Sequence, residues 1–204
     1  HAPRNGAWGG WRHPSNVAVA LADEQIGRSM SDSRDLEALI CRYLAAFGPA
    51  SVMDIQAWSG LTRLREPVEG MRHRLRVYKS EDGVELFDLP DAPLGEPDRV
   101  VPVRFLPAFD NALLGHRDRS RVISDDDRKR YSRGASGGIP MFLVDGFAAG
   151  TWSVRGSTVI VGPTRPLRAS DAAAVLKEGE RLLEFIAPDD PERNIALTET
   201  PEPA

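Results

Sequence analysis

Three observations predict an α+β fold. From Gly48 to Leu89 the chain reads as a short helix, a tight turn, a second helix carrying arginines, and a β-hairpin with a basic first strand. Past a Pro-rich stretch ending at Pro102, short apolar runs alternate with Gly- and Pro-containing turns, the pattern of a small antiparallel sheet. A long amphipathic segment then begins near Ser170. Together they predict a winged helix-turn-helix followed by a small antiparallel β-barrel-like domain with a C-terminal helix. The expected organisation is a lead-in segment over 1–31, a winged-helix domain over 32–98, the barrel-like domain over 99–188, and an acidic Pro-rich tail over 189–204.

In the lead-in, Trp8 and Trp11 sit among glycines, and Asn16 to Leu21 is apolar enough for a short strand. The tryptophans read as an anchor against neighbouring structure, with base stacking as the alternative. Asp32 or Ser33 is expected to cap a helix whose apolar face is Leu36, Leu39, Ile40, Tyr43, Leu44 and Phe47, with Cys41 beside it. Gly48-Pro49 ends that helix. Ser51 with Asp54 three residues on is a start signal for a helix over Val52 to Ser59, and Gly60 stops it. Thr62 is expected to cap the next helix, in which Leu64, Val68, Met71 and Leu75 form a buried stripe and Pro67 introduces a kink. Arg76 to Lys79, a turn at Asp82-Gly83 and Val84 to Leu86 complete a hairpin.

Prolines 90, 93, 97 and 102 among acidic residues predict a linker, with a domain boundary near 95–102. Strands are expected over 103–106, 112–114, 141–144, 147–154 and 158–161, with Val144-Asp145-Gly146-Phe147 as a hairpin. Ser170 is expected to cap a helix presenting Ala174, Leu176, Leu182, Leu183 and Ile186 to the barrel, and the tail after Pro188 to be mobile or loosely packed.

Charge directs attention to nucleic acid. The chain carries a net charge of −4, yet from Thr62 to Lys79 there are six Arg or Lys against two Glu. The face that meets a duplex decides phosphate affinity, so Thr62, Arg63, Arg65, Arg72, Arg74, Arg76 and Lys79 are candidate DNA contacts. A second candidate set is His116, Arg117, Arg119, Arg121, Arg128, Lys129 and Arg130, in a segment that also holds Arg133 and is followed by Gly134, Gly137 and Gly138. Such a loop either tracks a phosphate backbone or pairs internally with Asp125, Asp126 and Asp127. Asp110, His116 and Asp118 are a conceivable acid/base set, but no nucleophile accompanies them.

The lone Cys41 excludes an internal disulfide, and with four scattered histidines it argues against structural zinc. No apolar run approaches the ~20 residues that span a bilayer, and no stretch reads as a signal peptide. The expected setting is cytoplasmic and nucleoid-associated, with no membrane partner, and a monomer is expected rather than an obligate dimer. Because the chain begins with His1, it is expected to be a processed, tagged or truncated piece of something longer.

Arg42 to Ala50, Asp54, Trp58-Ser59-Gly60-Leu61, Phe105-Leu106-Pro107-Ala108-Phe109-Asp110-Asn111, His116-Arg117-Asp118-Arg119 and Val144 to Phe147 together resemble the bacterial winged-helix DNA-binding family that includes AlkZ-type DNA glycosylases. The resemblance runs from about Trp8 to Ala187. It implies tandem winged-helix units followed by a small β-barrel, and excision of bulky alkylated or crosslinked purines without a metal or cofactor. It also implies a Gln-hydrophobic-Gln or Gln-hydrophobic-Asp motif that positions the attacking water. The only glutamines here, Gln25 and Gln56, begin no such motif. The chain therefore resembles the C-terminal half of such proteins, no residue takes a catalytic role, and the chain alone is expected to have no excision activity. Three functions are expected to compete: the double-stranded DNA-binding portion of a repair glycosylase, a non-catalytic DNA-binding or transcription-regulatory module, and a scaffold for an N-terminal domain of the same protein.

Overall fold

The computed structural model describes residues 21–29, 35–96, 98–132 and 138–198, which fall in two compact units, 1–35 and 36–204. In the first unit the described residues form helix α1 (Ala22–Ile26), ended by Gly27 at φ 73°. Trp8, Trp11 and the expected caps Asp32 and Ser33 lie outside the described residues, as does the expected strand apart from Leu21, whose extended backbone leads into α1.

The second unit opens with α2 (Leu36–Phe47), α3 (Val52–Ser59), α4 (Arg65–Gly70) and a 3-10 turn over Arg72–Arg74. The start of α3 is a reciprocal capping box: the Ser51 hydroxyl accepts from the Asp54 amide while Asp54 accepts from the Ser51 amide. Gly60 ends α3 at φ 70°. Thr62 does not cap α4. That helix begins at Arg65 after Leu64, and the Leu64 amide donates to the Gln56 side chain at 2.9 Å, so a glutamine one helix away clips the turn. The later start also removes the expected kink. Pro67 becomes the third helical residue, where an amide has no intrahelical partner to lose.

Leu64, Val68 and Met71 are buried as expected, against Ile40, Tyr43, Leu44, Val52 and Ile55. Leu36, by contrast, lies at the exposed start of α2. Strands β1 (Arg76–Lys79) and β2 (Glu85–Asp88) form the wing. Ala50 exchanges backbone bonds with Phe87 at 3.0 and 2.8 Å, which ties the wing to the helices.

No helix or strand lies among the described residues between Asp88 and Arg104. Then come β3 (Arg104–Leu106), α5 (Asn111–Leu114), α6 (Asp125–Ser132), β4 (Met141–Val144), β5 (Phe147–Arg155), β6 (Thr158–Pro163), α7 (Ala169–Ile186) and β7 (Asn194–Leu197). The expected strand over 112–114 is helical, because the Asp110 side chain accepts from the Ala112 amide at 2.8 Å and caps α5. The Asp145-Gly146 hairpin forms as expected, with both turn residues at positive φ.

The barrel expectation is overturned. The five strands make an open mixed sheet in the order β3-β4-β5-β6-β7. A barrel needs its first and last strands to pair, and among the described residues β3 pairs only with β4, β7 only with β6. The cause is α7: it carries the chain across the sheet, so β7 enters parallel to β6, and parallel neighbours require such a crossover. The helix then covers one face, where Val175 and Leu183 pack on Phe142, Ala149, Val159 and Val161. Met141, Leu143 and Ala148 point the other way, to Leu113 and Ile123, in the two-residue alternation of a sheet covered on both sides.

Two further expectations change. Helix α7 starts from Arg168 instead of being capped by Ser170, and its buried stripe is Val175, Gly179 and Leu183; Ala174, Leu176 and Ile186 are exposed. The segment after Pro188 is not uniformly loose, since Asn194–Leu197 is laid down as β7 on the apolar edge of β6.

Candidate nucleic-acid interface

The winged-helix cations divide into two groups. Arg72 is engaged: its guanidinium grips Glu85 in a bidentate pair at 2.7 and 3.3 Å, reaches Glu69 at 3.1 Å and lies over the Phe87 ring at 5.6 Å. Its hydrogen bonds to the two glutamates raise its already high pKa and hold the Glu85 carboxyl below the usual range. Arg74 pairs with Glu37 at 2.9 Å. Arg63, Arg65, Arg76 and Lys79 are exposed and have no acidic side chain within ion-pair distance among the described residues. Arg63 holds a left-handed φ of 61° in the turn before α4. Thr62 is exposed beside it.

The second candidate set is broken up by the fold. Arg128 pairs with Asp125 at 3.0 Å within α6, and Ser124 with Asp127 forms the helix's starting cap, so this part follows the internal-pairing alternative. Lys129 and Arg130 are exposed on the same helix. Arg119 is half-buried and donates to the His116 carbonyl at 3.5 Å; burial lowers its pKa. Arg133, Gly134 and Gly137 lie outside the described residues.

His116 is half-buried. Its ring stands 6.2 Å, edge to face, from both Tyr43 and Phe47, which themselves pack on Trp58. Its Nε2 is buried with no hydrogen-bond partner among the described residues. Burial, then the Arg121 charge, pushes its pKa below the ordinary histidine value. Asp110 caps α5 and Asp118 accepts from the Ser120 amide, so no hydrogen bond joins Asp110, His116 and Asp118 into an acid/base set. Among the described residues no His, Cys, Asp or Glu cluster is placed to hold a metal, and no helix is long and apolar enough to cross a membrane.

Asp54 connects the two regions. It is only 3% exposed. One oxygen accepts from the Ser51 amide and hydroxyl at 2.8 and 2.7 Å, the other from the Arg117 and Asp118 amides at 2.9 and 3.2 Å. Burial raises its pKa, but these bonds with the His116 charge outweigh it and hold the carboxyl below its usual range. A second joint lies beside it, where the Tyr43 hydroxyl donates to the Gly115 carbonyl at 2.6 Å. Sequence reasoning found Asp54 as a helix cap but missed its other oxygen, whose partners are more than sixty residues away. The one signal in the sequence was an Asp, where a Glu or Gln is usual, at the third helical position.

A family model described as "DNA glycosylase AlkZ-like" matches residues 1–185. An interstrand DNA cross-link repair glycosylase of Streptomyces sahachiroi is 26% identical over 153 residues, 69% of this chain and 40% of that protein. The solved structure of Streptomyces sahachiroi DNA glycosylase AlkZ aligns with a TM-score of 0.70 at 22% identity, covering 86% of this chain and 50% of that one. The chain thus spans about half the length, or less, of these relatives.

Proposed function

The chain belongs to the family of AlkZ-like DNA glycosylases, and from that membership we propose that it binds double-stranded DNA as the C-terminal portion of a repair protein acting on alkylated or crosslinked bases. The observation that carries the reading is the set Arg63, Arg65, Arg76 and Lys79, exposed over the turn, the start of α4 and the wing; only Glu85, itself gripped by Arg72, stands near enough among the described residues to feel the charges of Lys79 and Arg65. Exposed cations on a helix-turn-helix and its wing are what phosphate binding requires. In this reading residues 32–98 supply the duplex-binding face, residues 99–188 support them, and the bond-breaking chemistry belongs to sequence outside this chain. The paired Arg72 and Arg74 favour a competing reading, in which the winged helix only scaffolds another domain.

Fluorescence anisotropy with a labelled duplex at several salt concentrations separates the two. Binding is expected, with an affinity that falls as salt rises. Replacing the four cations by Gln is expected to lower the logarithmic salt slope by about one for each phosphate that is no longer neutralised. Duplex binding whose salt slope ignores all four replacements would reject this face.

A further inference from the structure

One glutamine holds both ends of the turn between α3 and α4. The backbone carbonyl of Gln56 accepts from the Gly60 amide at 3.0 Å, and its side-chain oxygen accepts from the Leu64 amide at 2.9 Å. Its side-chain nitrogen lies 3.7 Å from the Met53 sulfur, which keeps the oxygen turned towards Leu64. Between the two anchored amides stand Leu61, Thr62 and Arg63, all exposed. Arg63 is in the left-handed region at φ 61°, a conformation that costs free energy in a residue with a Cβ and persists only where the surroundings enforce it. Here they do. The Leu64 N–H belongs to the peptide plane that follows Arg63, so its direction is set by the Arg63 ψ angle, and the buried Leu64 side chain holds the far side of that plane. Leu64 supplies no side-chain cap to α4, so the glutamine of the preceding helix takes that place.

We propose that Gln56 is the positioning residue for the duplex contact of Arg63: by accepting from the Leu64 amide it enforces the left-handed backbone from which the Arg63 guanidinium is presented. The inference rests on the duplex-binding reading above and deepens it, by assigning a role to an uncharged side chain that acts on the duplex only through another residue. An arginine on a free turn gives up that freedom when it binds, whereas a turn pinned at both ends has given it up on folding. Losing the Gln56 acceptor therefore lets Arg63 relax to an ordinary backbone conformation and weakens binding without removing any charge.

The test is a double-mutant cycle in the full chain, with Gln56→Met, Arg63→Gln and the combined variant, each checked by circular dichroism for native helix content and titrated with a labelled duplex at several salt concentrations. Met fills the space of Gln without an oxygen acceptor. Arg63→Gln is expected to weaken binding about three- to tenfold and to lower the logarithmic salt slope by about one. Gln56→Met should shift both in the same direction and by no more, and the combined variant should bind no more weakly than Arg63→Gln alone. Gln56→Glu keeps an oxygen acceptor and should retain the wild-type slope. Wild-type affinity and slope in Gln56→Met beside a weakened Arg63→Gln would overturn the positioning role and leave duplex binding standing. Losses that add in full in the combined variant, a Gln56→Glu slope as low as that of Gln56→Met, or wild-type binding by Arg63→Gln would do the same. No duplex binding by the wild-type chain at low salt would overturn both readings.

Discussion

Removing the Asp54 carboxylate should release the joint between the winged helix and the loop after α5. In Asp54→Ala the amides of Ser51, Arg117 and Asp118 and the Ser51 hydroxyl lose their acceptor. A buried donor left without a partner costs about 1–3 kcal/mol. These four are part-buried, so the lower end applies to each, and the sum is about 3–4 kcal/mol. Asp54→Asn separates the two halves of the joint. Its carbonyl oxygen still accepts from Arg117 and Asp118, but its amide meets the Ser51 N–H donor to donor, so the capping half is lost at about 1–2 kcal/mol.

Urea unfolding read by tryptophan fluorescence measures both variants against wild type. The pH dependence adds an independent arm. The folded pKa of Asp54 lies below its unfolded value of about 3.9, so the unfolded state binds more protons in that window. The contribution is complete above about pH 4 and is lost as pH falls through the folded pKa. Asp54→Asn should therefore lose less stability on acidification than wild type does. An Asp54→Ala variant within about 0.5 kcal/mol of wild type, or less harmed than Asp54→Asn, would refute the joint.

The remaining expectations concern the histidine cage and the sheet. His116 has a folded pKa below its unfolded value of about 6.5, so stability should be complete above that pH and decline as pH falls towards the folded pKa. His116→Phe, which removes the orphaned Nε2, should flatten the change in urea midpoint between pH 7.5 and 5.5; a wild-type midpoint that rises on acidification would contradict the sign. A Cβ at Gly150 would overlap the Gly162 carbonyl oxygen and stand 2.6 Å from Phe142 Cε1. Gly150→Ala should therefore cost about 1–3 kcal/mol by thermal or urea unfolding, and a neutral result would mean that β5 and β6 can separate there.

What could be read from the sequence was local. Ser51, Asp54 and Gly60 bound α3 because a cap and a left-handed stop act within one turn, and Leu64, Val68 and Met71 are buried because helical spacing places them on one face. Errors arose where a local signal had a competitor. Leu113 and Leu114 suit a strand, but the Asp110 side chain offers the backbone a helical alternative. Thr62 suits a cap, but Gln56 takes the Leu64 amide first. The open sheet was illegible for a different reason. Whether β7 joins β6 or a barrel closes depends on where a helix of eighteen residues returns the chain, and nothing in Asn194–Leu197 records that.

The same distinction separates membership from function. Of the segments that carry the resemblance, Asp54 and His116-Arg117-Asp118 build the joint, Asp110 caps α5, and Asp145-Gly146 turns a hairpin. These are architectural tasks. The cations Arg63, Arg65, Arg76, Lys79 and Arg121 lie outside those segments, whereas the exposed Arg117 and the half-buried His116 and Arg119 lie inside one of them. A chain could therefore keep the joint and lose the charge. Changes at the joint should move the unfolding midpoint, whereas changes at the cations should move the salt slope with little effect on stability, since exposed charges of this kind contribute about 1 kcal/mol or less to folding. Arg117 tests the overlap. Its amide serves the joint while its exposed side chain is a candidate phosphate contact, so Arg117→Gln should change the salt slope while leaving the midpoint in place.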